Sequence, residues 1–444
     1  MDVVRLNMSH SGPDQMRAAS AAVRASAAAV GKPIAVMVDL QGAKIRVGQL
    51  AKPIQLETGD RVVLVPQAET AGGEIPITYV DLAADLEPGN RMLLNDGQIE
   101  LRVRGIRGSR IEAEVVIGGK VTSGRGINLP GARIAAPALM EKDLIDLEAA
   151  LAIEADYVAL SFVRSADNVR DLRRHLPEDA LILSKIEKDL ALQDLAGILE
   201  ASDAVMVARG DLGSELPFEQ VPLVQKRIVR DANDRYRPVV IATEMLESMI
   251  NQLRPTRAEV SDVANSILDG TDAVMLAAET AIGHHPVQAV QALSRVIAQV
   301  ESESVFLVDG PPYDVPASQS ERGPISTEVA VASATLKAAQ AVRAPAIVTY
   351  TRSGFTARVV SSRRPPVPIL AVTDSERVQR QLSLVWGVLP VLCRGELKEE
   401  TMATTARSEL LARGLAQAGD RIVVTAGLPF HVRGTTNMVR IETL

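Results

Sequence analysis

Charged and hydroxyl side chains recur in this sequence directly after apolar runs. In "SDAVMVARGDLGSEL", residues 202 to 216, five apolar residues from Ala204 to Ala208 lead straight into Arg209, Gly210 and Asp211. Similar runs deliver Arg5, Asn7, Ser9 and His10; Asp39, Lys44 and Arg46; Ser161 and Arg164; Lys185 and Glu187; Thr243 and Glu244; and Glu279 and Thr280. Several cations and several carboxylates around one cavity suit a metal ion together with a phosphate-bearing anion. Glu187 and Asp211 are the candidate metal pair, because Mg²⁺ prefers oxygen, keeps its waters and takes one or two carboxylates while the substrate completes its octahedron. Lys185 stands two residues before Glu187, so both point the same way off a strand. An ammonium there can stabilise an enolate or a transferring phosphoryl group. The plainer alternative is two separate salt bridges, Glu187 to Lys185 and Asp211 to Arg209.

These residues need a scaffold that gathers strand ends. Strand-like runs are expected at Val3–Asn7, Ile34–Asp39, Tyr157–Phe162, Leu181–Ile186, Ala204–Ala208, Val239–Thr243 and Ala273–Ala277, with amphipathic helices between them. Runs that are apolar throughout mark strands buried on both faces, as in a parallel sheet. In "PTRAEVSDVANSILDG" the residues Val260, Val263, Ala264, Ile267 and Leu268 follow helical spacing, Thr256 and Glu259 form a capping box, and Gly270 supplies the stop. Seven consecutive βα units with an insertion are one short of a closed eight-stranded barrel, which would place all the strand-end residues around one mouth. The series starts abruptly at Met1, and the expectation is a chain that begins after a first strand and helix.

Residues 49–132 change texture to short alternating runs such as "RVVLVP" and "RIEAEVVIGG", the pattern of a small antiparallel β domain inserted into the series. After about residue 300 the stretch "DGPPYDVPASQSERGPIS" reads as a linker. A second α/β series follows, with strands near Ala346–Tyr350, Ile369–Val372 and Ile422–Thr425. The expected division is a barrel domain over 1–48 and 133–305, a β lid over 49–132 and a C-terminal α/β domain over 306–444.

Composition narrows the function. The chain has 444 residues, 47% hydrophobic and 23% charged, with a formal net charge of -7. That charge, with no basic run longer than Arg173-Arg174 or Arg363-Arg364, argues against nucleic acid as the main partner. A single cysteine, Cys393, rules out an internal disulfide and a cysteine-based zinc cluster, and it reads as a small core residue. No apolar stretch reaches the roughly 18 residues of a membrane span, so a cytoplasmic location is expected. Neither a Walker-type phosphate loop nor a dinucleotide-binding glycine pattern is present.

The segments "RLNMSH", "DLQGAKIR", "GINLPG", "SKIE", "VARGDLG", "TEMLESM" and "PTRAEVSDVANSILDGTDAVMLAAETAIG" resemble, in order, motifs of the pyruvate kinases. The similarity is strong from residue 2 to about 300 and looser beyond, through "TRSGFTAR" and "GDRIVV". It implies a TIM (β/α)₈ barrel with its first strand missing, an inserted small antiparallel β-barrel lid and a C-terminal α/β effector and assembly domain. It implies phosphoryl transfer from phosphoenolpyruvate to ADP in glycolysis, dependent on Mg²⁺ with Mn²⁺ as the alternative. By resemblance Glu187 and Asp211 hold the metal, Lys185 stabilises the enolate, Arg5 and Arg46 contact phosphate, and the backbone around Gly210 and Asp211 takes the substrate carboxylate. Thr243 matches the position where the enolate is protonated; His10 and Arg125 match positions near the nucleotide. Thr351, Ser353, Gly354 and Thr356 are candidates for an effector site that takes a sugar-phosphate or a nucleotide, faced by the loop "GLPFHVRGTTN", and a homotetramer is implied.

The departures from the pattern are specific. Where many members read K-G-P-E-I-R, with the Glu accompanying a required K⁺, this chain has Lys44, and two cations at that point would repel. The expectation is independence from K⁺, although Asn7, Ser9, Asp39 and Leu40 match K⁺-liganding positions. Ala277 replaces a Ser of a proposed proton relay, and Glu244 replaces a Gln. A truncated or degenerate homologue, which binds ligand or joins full-length subunits without turnover, is the alternative reading; a phosphoenolpyruvate-using lyase is a third.

Overall fold

The computed structural model describes residues 1–95, 97–132, 134–303, 325–394, 398–429 and 435–444, so the expected linker lies almost wholly outside the described residues. The strands run in chain order as β1 (Val3–Asn7), β2 (Ala35–Asp39), β3 (Ile54–Leu56), β4 (Arg61–Pro66), β5 (Ile75–Ile77), β6 (Arg91–Leu94), β7 (Ile99–Arg107), β8 (Arg110–Ile117), β9 (Gly119–Val121) and β10 (Ile127–Asn128). They continue as β11 (Tyr157–Leu160), β12 (Leu181–Ile186), β13 (Ala204–Ala208), β14 (Val239–Ala242), β15 (Ala273–Met275), β16 (Ile347–Tyr350), β17 (Ile369–Thr373), β18 (Val388–Leu392), β19 (Arg421–Ala426) and β20 (Met438–Thr443).

Seven strands form one parallel sheet in the order β1, β2, β11, β12, β13, β14, β15. Alternate residues face opposite ways. Val38, Val158, Ile182, Val205 and Ile241 pack with helical residues such as Leu147, Leu172 and Ile228. Met37, Tyr157, Leu183, Met206 and Val240 form an inner cluster that also takes Val3 of β1 and Met275 of β15. Both end strands reach that same cluster, so the sheet curls into the wall of a TIM-type barrel. Among the described residues β1 and β15 pair on one side only, and both are half-buried where β2, β12 and β13 are buried throughout.

The capped helix appears as Arg257–Leu268, with the Thr256 hydroxyl accepting from the Glu259 amide and the Glu259 carboxylate reaching back to the Thr256 amide. Its inward face is narrower than expected: Val263 and Ile267 are buried, whereas Leu268 is exposed. Between β2 and β11 the chain builds a six-stranded sheet in the order β10, β6, β7, β8, β4, β5, antiparallel except for the β4–β5 pair, with β3 and β9 beside it. Its own core contains Leu64, Met92, Leu101, Val103 and Ile111.

The C-terminal unit is a five-stranded sheet, β18, β17, β16, β19, β20, with only β20 antiparallel. Cys393, directly after β18, is buried in its core. The unit docks on the lower, N-terminal end of the barrel. Leu384 enters the barrel's inner cluster, and the Tyr157 hydroxyl donates to the Gln381 carbonyl at 2.7 Å. Arg380 pairs with the buried Asp156 at 2.9 Å. Beside this, Arg364 and Asp272 pair at 3.1 Å, both nearly inaccessible, and the Trp386 amide donates to Asp272. None of the described helices is long and apolar enough to cross a membrane.

Removing one partner of a buried pair strands the other charge. Asp272→Ala is therefore expected to cost about 3–5 kcal/mol, measured as a fall in the urea midpoint. Asp14→Ala, at the exposed Asp14–Arg17 pair, is expected to leave the midpoint unchanged.

Candidate active site

The strand ends bring the expected residues together at the upper, C-terminal end of the barrel. β12 alternates Leu181, Leu183 and Lys185 inward, so Lys185 continues the line of inner-cluster residues into the mouth. Its Nζ lies 2.8 Å from Glu187 Oε1, 3.3 Å from Asp39 Oδ2 and 2.9 Å from Ser161 Oγ. Arg5, from β1, reaches the same Asp39 oxygen at 2.6 Å. Asp39 Oδ1 accepts from Ser161 Oγ, which also contacts the Leu40 carbonyl at 2.8 Å. Exposure is 8% at Lys185, 1% at Asp39 and 0% at Glu187, so these charges interact with little screening by water.

Burial works against the charge of Asp39, but the Lys185 ammonium and Arg5 guanidinium overcome it and hold its carboxyl below the usual range. Burial likewise works against Lys185, which Asp39 and Glu187 nevertheless keep firmly protonated. Glu187 goes the other way: burial, with repulsion from Asp211, raises its pKa despite the neighbouring Lys185.

That imbalance fits a divalent cation. Glu187 Oε2 accepts from the Phe162 amide at 2.8 Å, whereas Oε1 is buried with the Lys185 ammonium beside it at 2.8 Å. Asp211, a quarter exposed, has Lys44 Nζ at 3.6 Å. No cluster of three or more protein metal ligands occurs among the described residues. Two carboxylates leaving the other positions to water and substrate oxygens are what Mg²⁺ accepts.

β13 ends at Ala208, and the helix Arg209–Glu215 begins at once, leaving Gly210 and Asp211 in its first turn. The Gly210 amide donates to Thr243 Oγ1 at 2.8 Å. Thr243 and the following Glu244 both have positive φ, 72° and 54°. The expected strand Val239–Thr243 stops at Ala242 because the chain turns through this left-handed pair. Similarly, β11 stops at Leu160 and not at Phe162, whose φ is 55°. The Ala277 amide donates to Glu279, as does that of Leu246.

Other expected residues sit away from the buried cluster. Arg46 lies where the chain crosses toward the lid, its guanidinium on the Gly124 carbonyl at 3.0 Å. Arg125 is exposed on the lid and contacts Thr122, and His10 is exposed after β1. Asn7 Oδ1 accepts from the Ser9 amide at 3.0 Å. In the C-terminal unit Gly354, with φ 76°, turns the Thr351–Ser353 segment into the helix Phe355–Ser361, and the Thr356 and Thr436 hydroxyls meet at 2.9 Å. Residues 430–434 of the facing loop lie outside the described residues.

Phe162 stands at the site without any mark in the sequence. Its ring lies 5.8 Å from Lys44 Nζ and 5.7 Å from Lys188 Nζ. Lys188 pairs with the buried Glu215, and Asn128 of β10 approaches the same carboxylate. No residue type announces this contact; the nearest signal is Gly42, where a Cβ would stand 3.1 Å from the Phe162 ring.

Residues 1–290 match the family model described as pyruvate kinase, barrel domain, and residues 329–442 match pyruvate kinase, alpha/beta domain. A pyruvate kinase of Agrobacterium vitis is 40% identical over 99% of this chain and 92% of its own length. One from Mycobacterium intracellulare is 41% identical over 100% of this chain and 93% of its own. The crystal structure of a pyruvate kinase from Cryptosporidium parvum, 33% identical, superposes with a TM-score of 0.91 over 100% of this chain and 91% of that one. Barrel, C-terminal unit and full-length similarity agree, and the chain belongs to the pyruvate kinase family.

Proposed function

We propose that this chain transfers the phosphoryl group of phosphoenolpyruvate to ADP, giving pyruvate and ATP, with Lys185 as the central catalytic cation. The observation that carries the assignment is the Lys185 ammonium, buried at the barrel mouth between Asp39 and Glu187. In the reaction the bond from phosphorus to the enolate oxygen breaks and one from phosphorus to a terminal ADP oxygen forms. The enolate then takes a proton at its terminal carbon and becomes pyruvate. Glu187 and Asp211 would hold a Mg²⁺ ion, which supplies charge neutralisation at the phosphoryl oxygens and at the substrate. Lys185 stays charged and faces the oxygen on which negative charge develops, a group already oriented before reaction. Arg5, held by Asp39, adds a second fixed cation. Thr243, with its hydroxyl against the Gly210 amide, is the proposed route for the final proton. The non-catalytic reading has no observation in its favour.

K⁺ independence is proposed on the same geometry. Asp39 engages both oxygens with Arg5, Lys185 and Ser161, and Lys44 brings an ammonium to within 3.6 Å of Asp211. Self-association as a homotetramer is also proposed, supported by large apolar side chains exposed on the barrel unit: Phe218, at 85%, with Leu223, Ile282 and Val287.

Lys185→Met is expected to lower the rate of pyruvate formation by about 10²–10³-fold or more, while titration calorimetry still detects Mg²⁺ binding. Replacing Na⁺ by K⁺ at constant ionic strength is expected to leave the rate the same; a large, reproducible increase contradicts the role given to Lys44. Phe218→Glu is expected to reduce the sedimenting mass, and an unchanged mass places any interface elsewhere.

A further inference from the structure

We propose that Arg209 is a positioning residue for the protonation step: its guanidinium holds the strained Thr243–Met245 turn and so fixes the Thr243 hydroxyl beside the Gly210 amide. The inference rests on Thr243 being the proton route.

A β-branched residue in the left-handed region is a steric outlier, and Thr243 is followed at once by a second left-handed residue, Glu244. Such conformations persist where the surroundings over-determine them. Arg209 supplies that determination. Its Nη2 donates to the Thr243 carbonyl at 2.7 Å and approaches the Glu244 carbonyl at 3.5 Å and Met245 Sδ at 3.0 Å. Its Nη1 is anchored by Asp262, on the helix Arg257–Leu268, at 2.6 Å.

Two features separate this from an ordinary tie between a loop and a helix. The carbonyl that Arg209 holds belongs to the strained residue itself. The next residue, Gly210, holds the hydroxyl of that same Thr243 through its amide. Two consecutive residues thus grip Thr243 at its carbonyl and at its side-chain oxygen, one position before the proposed metal ligand Asp211. From the other side, Glu279 accepts the Leu246 amide at 3.0 Å. A planar guanidinium meets a carbonyl and a carboxylate at once with its donors in fixed directions, which a lysine ammonium does not.

The test follows exchange of the methyl protons of pyruvate with solvent deuterium, the reverse of enolate protonation, alongside pyruvate formation, in the full-length chain with Mg²⁺. Arg209→Gln is expected to lower exchange by about tenfold or more. Its KM for phosphoenolpyruvate and its Mg²⁺ affinity are expected to stay within about twofold. Added guanidinium is expected to recover part of the exchange in Arg209→Ala, where the same concentration of NaCl does not. Glu244→Gly, which takes positive φ without strain, is expected to recover part of the loss when combined with Arg209→Gln. Exchange at the wild-type rate in Arg209→Gln overturns the inference, as does a parallel loss of exchange, substrate affinity and Mg²⁺ binding. Should Arg209→Gln not fold, Arg209→Lys keeps the charge and carries the same comparison. Thr243→Val separates the two layers. If it retains exchange, Thr243 is not the proton route; if it loses exchange while Arg209→Gln keeps it, only the clamp falls.

Discussion

Four charges share one water-poor volume at the barrel mouth, and they have to cancel. Arg5 and Lys185 are opposed by Asp39 and Glu187, with Asp39 touching both cations. Left unpaired in such surroundings, any one of them would cost several kcal/mol. Cancellation depends on register. Asn7 lies beside Asp39 across the β1–β2 pair, and Leu160 beside Ser184 across the β11–β12 pair. A slip of one residue would turn Arg5, Lys185 or Asp39 to the opposite face of the sheet. The apolar runs that form the strands and the charges that end them are one device: the first sets the alignment that the second requires.

The charges are not held by regular structure alone. Phe162, Thr243 and Glu244 leave their strands through positive φ, an arrangement costing of order 1–3 kcal/mol at each residue, and each lies at the proposed chemistry. Phe162 shows what the strain does. Its amide fixes Glu187 Oε2, while its ring stands between Lys44, on the way to the lid, and Lys188. Through Glu215, Lys188 is linked to Asn128 on the strand returning from the lid. One crossing between lid and barrel thus reaches Phe162 directly through Lys44, and the other through Glu215 and Lys188, and Phe162 is the residue that orients the proposed metal ligand Glu187.

Much of this was legible in the sequence. The apolar runs place all seven barrel strands to within about two residues, because short apolar runs alternating with amphipathic helices are the pattern of a parallel sheet, at its half-buried ends β1 and β15 as well as in its buried centre. The charged residues at their ends single out Lys185, Glu187 and Asp211, which the structure gathers at one end of the barrel, since charge directly after a buried run is unusual. What escaped was of another kind. β18 contains Pro390 at a sheet edge, and β20 alternates Arg440 and Glu442 with the half-buried Val439 and the exposed Ile441, so neither has the signature of a buried strand. In the sequence Phe162 and Thr243 stand as the last residues of strand-like runs, two and one residues beyond the strands themselves. Their side chains favour extended backbone, and left-handed turns are announced in sequence mainly by glycine. The clamp formed by Arg209 and Asp262 joins residues 53 positions apart that no periodicity connects.

The stopper at the lower end of the barrel also sets an order of events during synthesis. Tyr157 and Asp156 find their partners in Gln381 and Arg380, 224 positions further along the chain. A ribosome therefore releases every barrel strand long before the segment that dries the barrel's floor. Until residues 380–384 have emerged, the inner cluster lacks Leu384 and Asp156 lacks one of its two arginines. Contacts this distant in sequence form slowly, and large chains fold unit by unit as they are made. The C-terminal unit thus completes the barrel that precedes it in the chain.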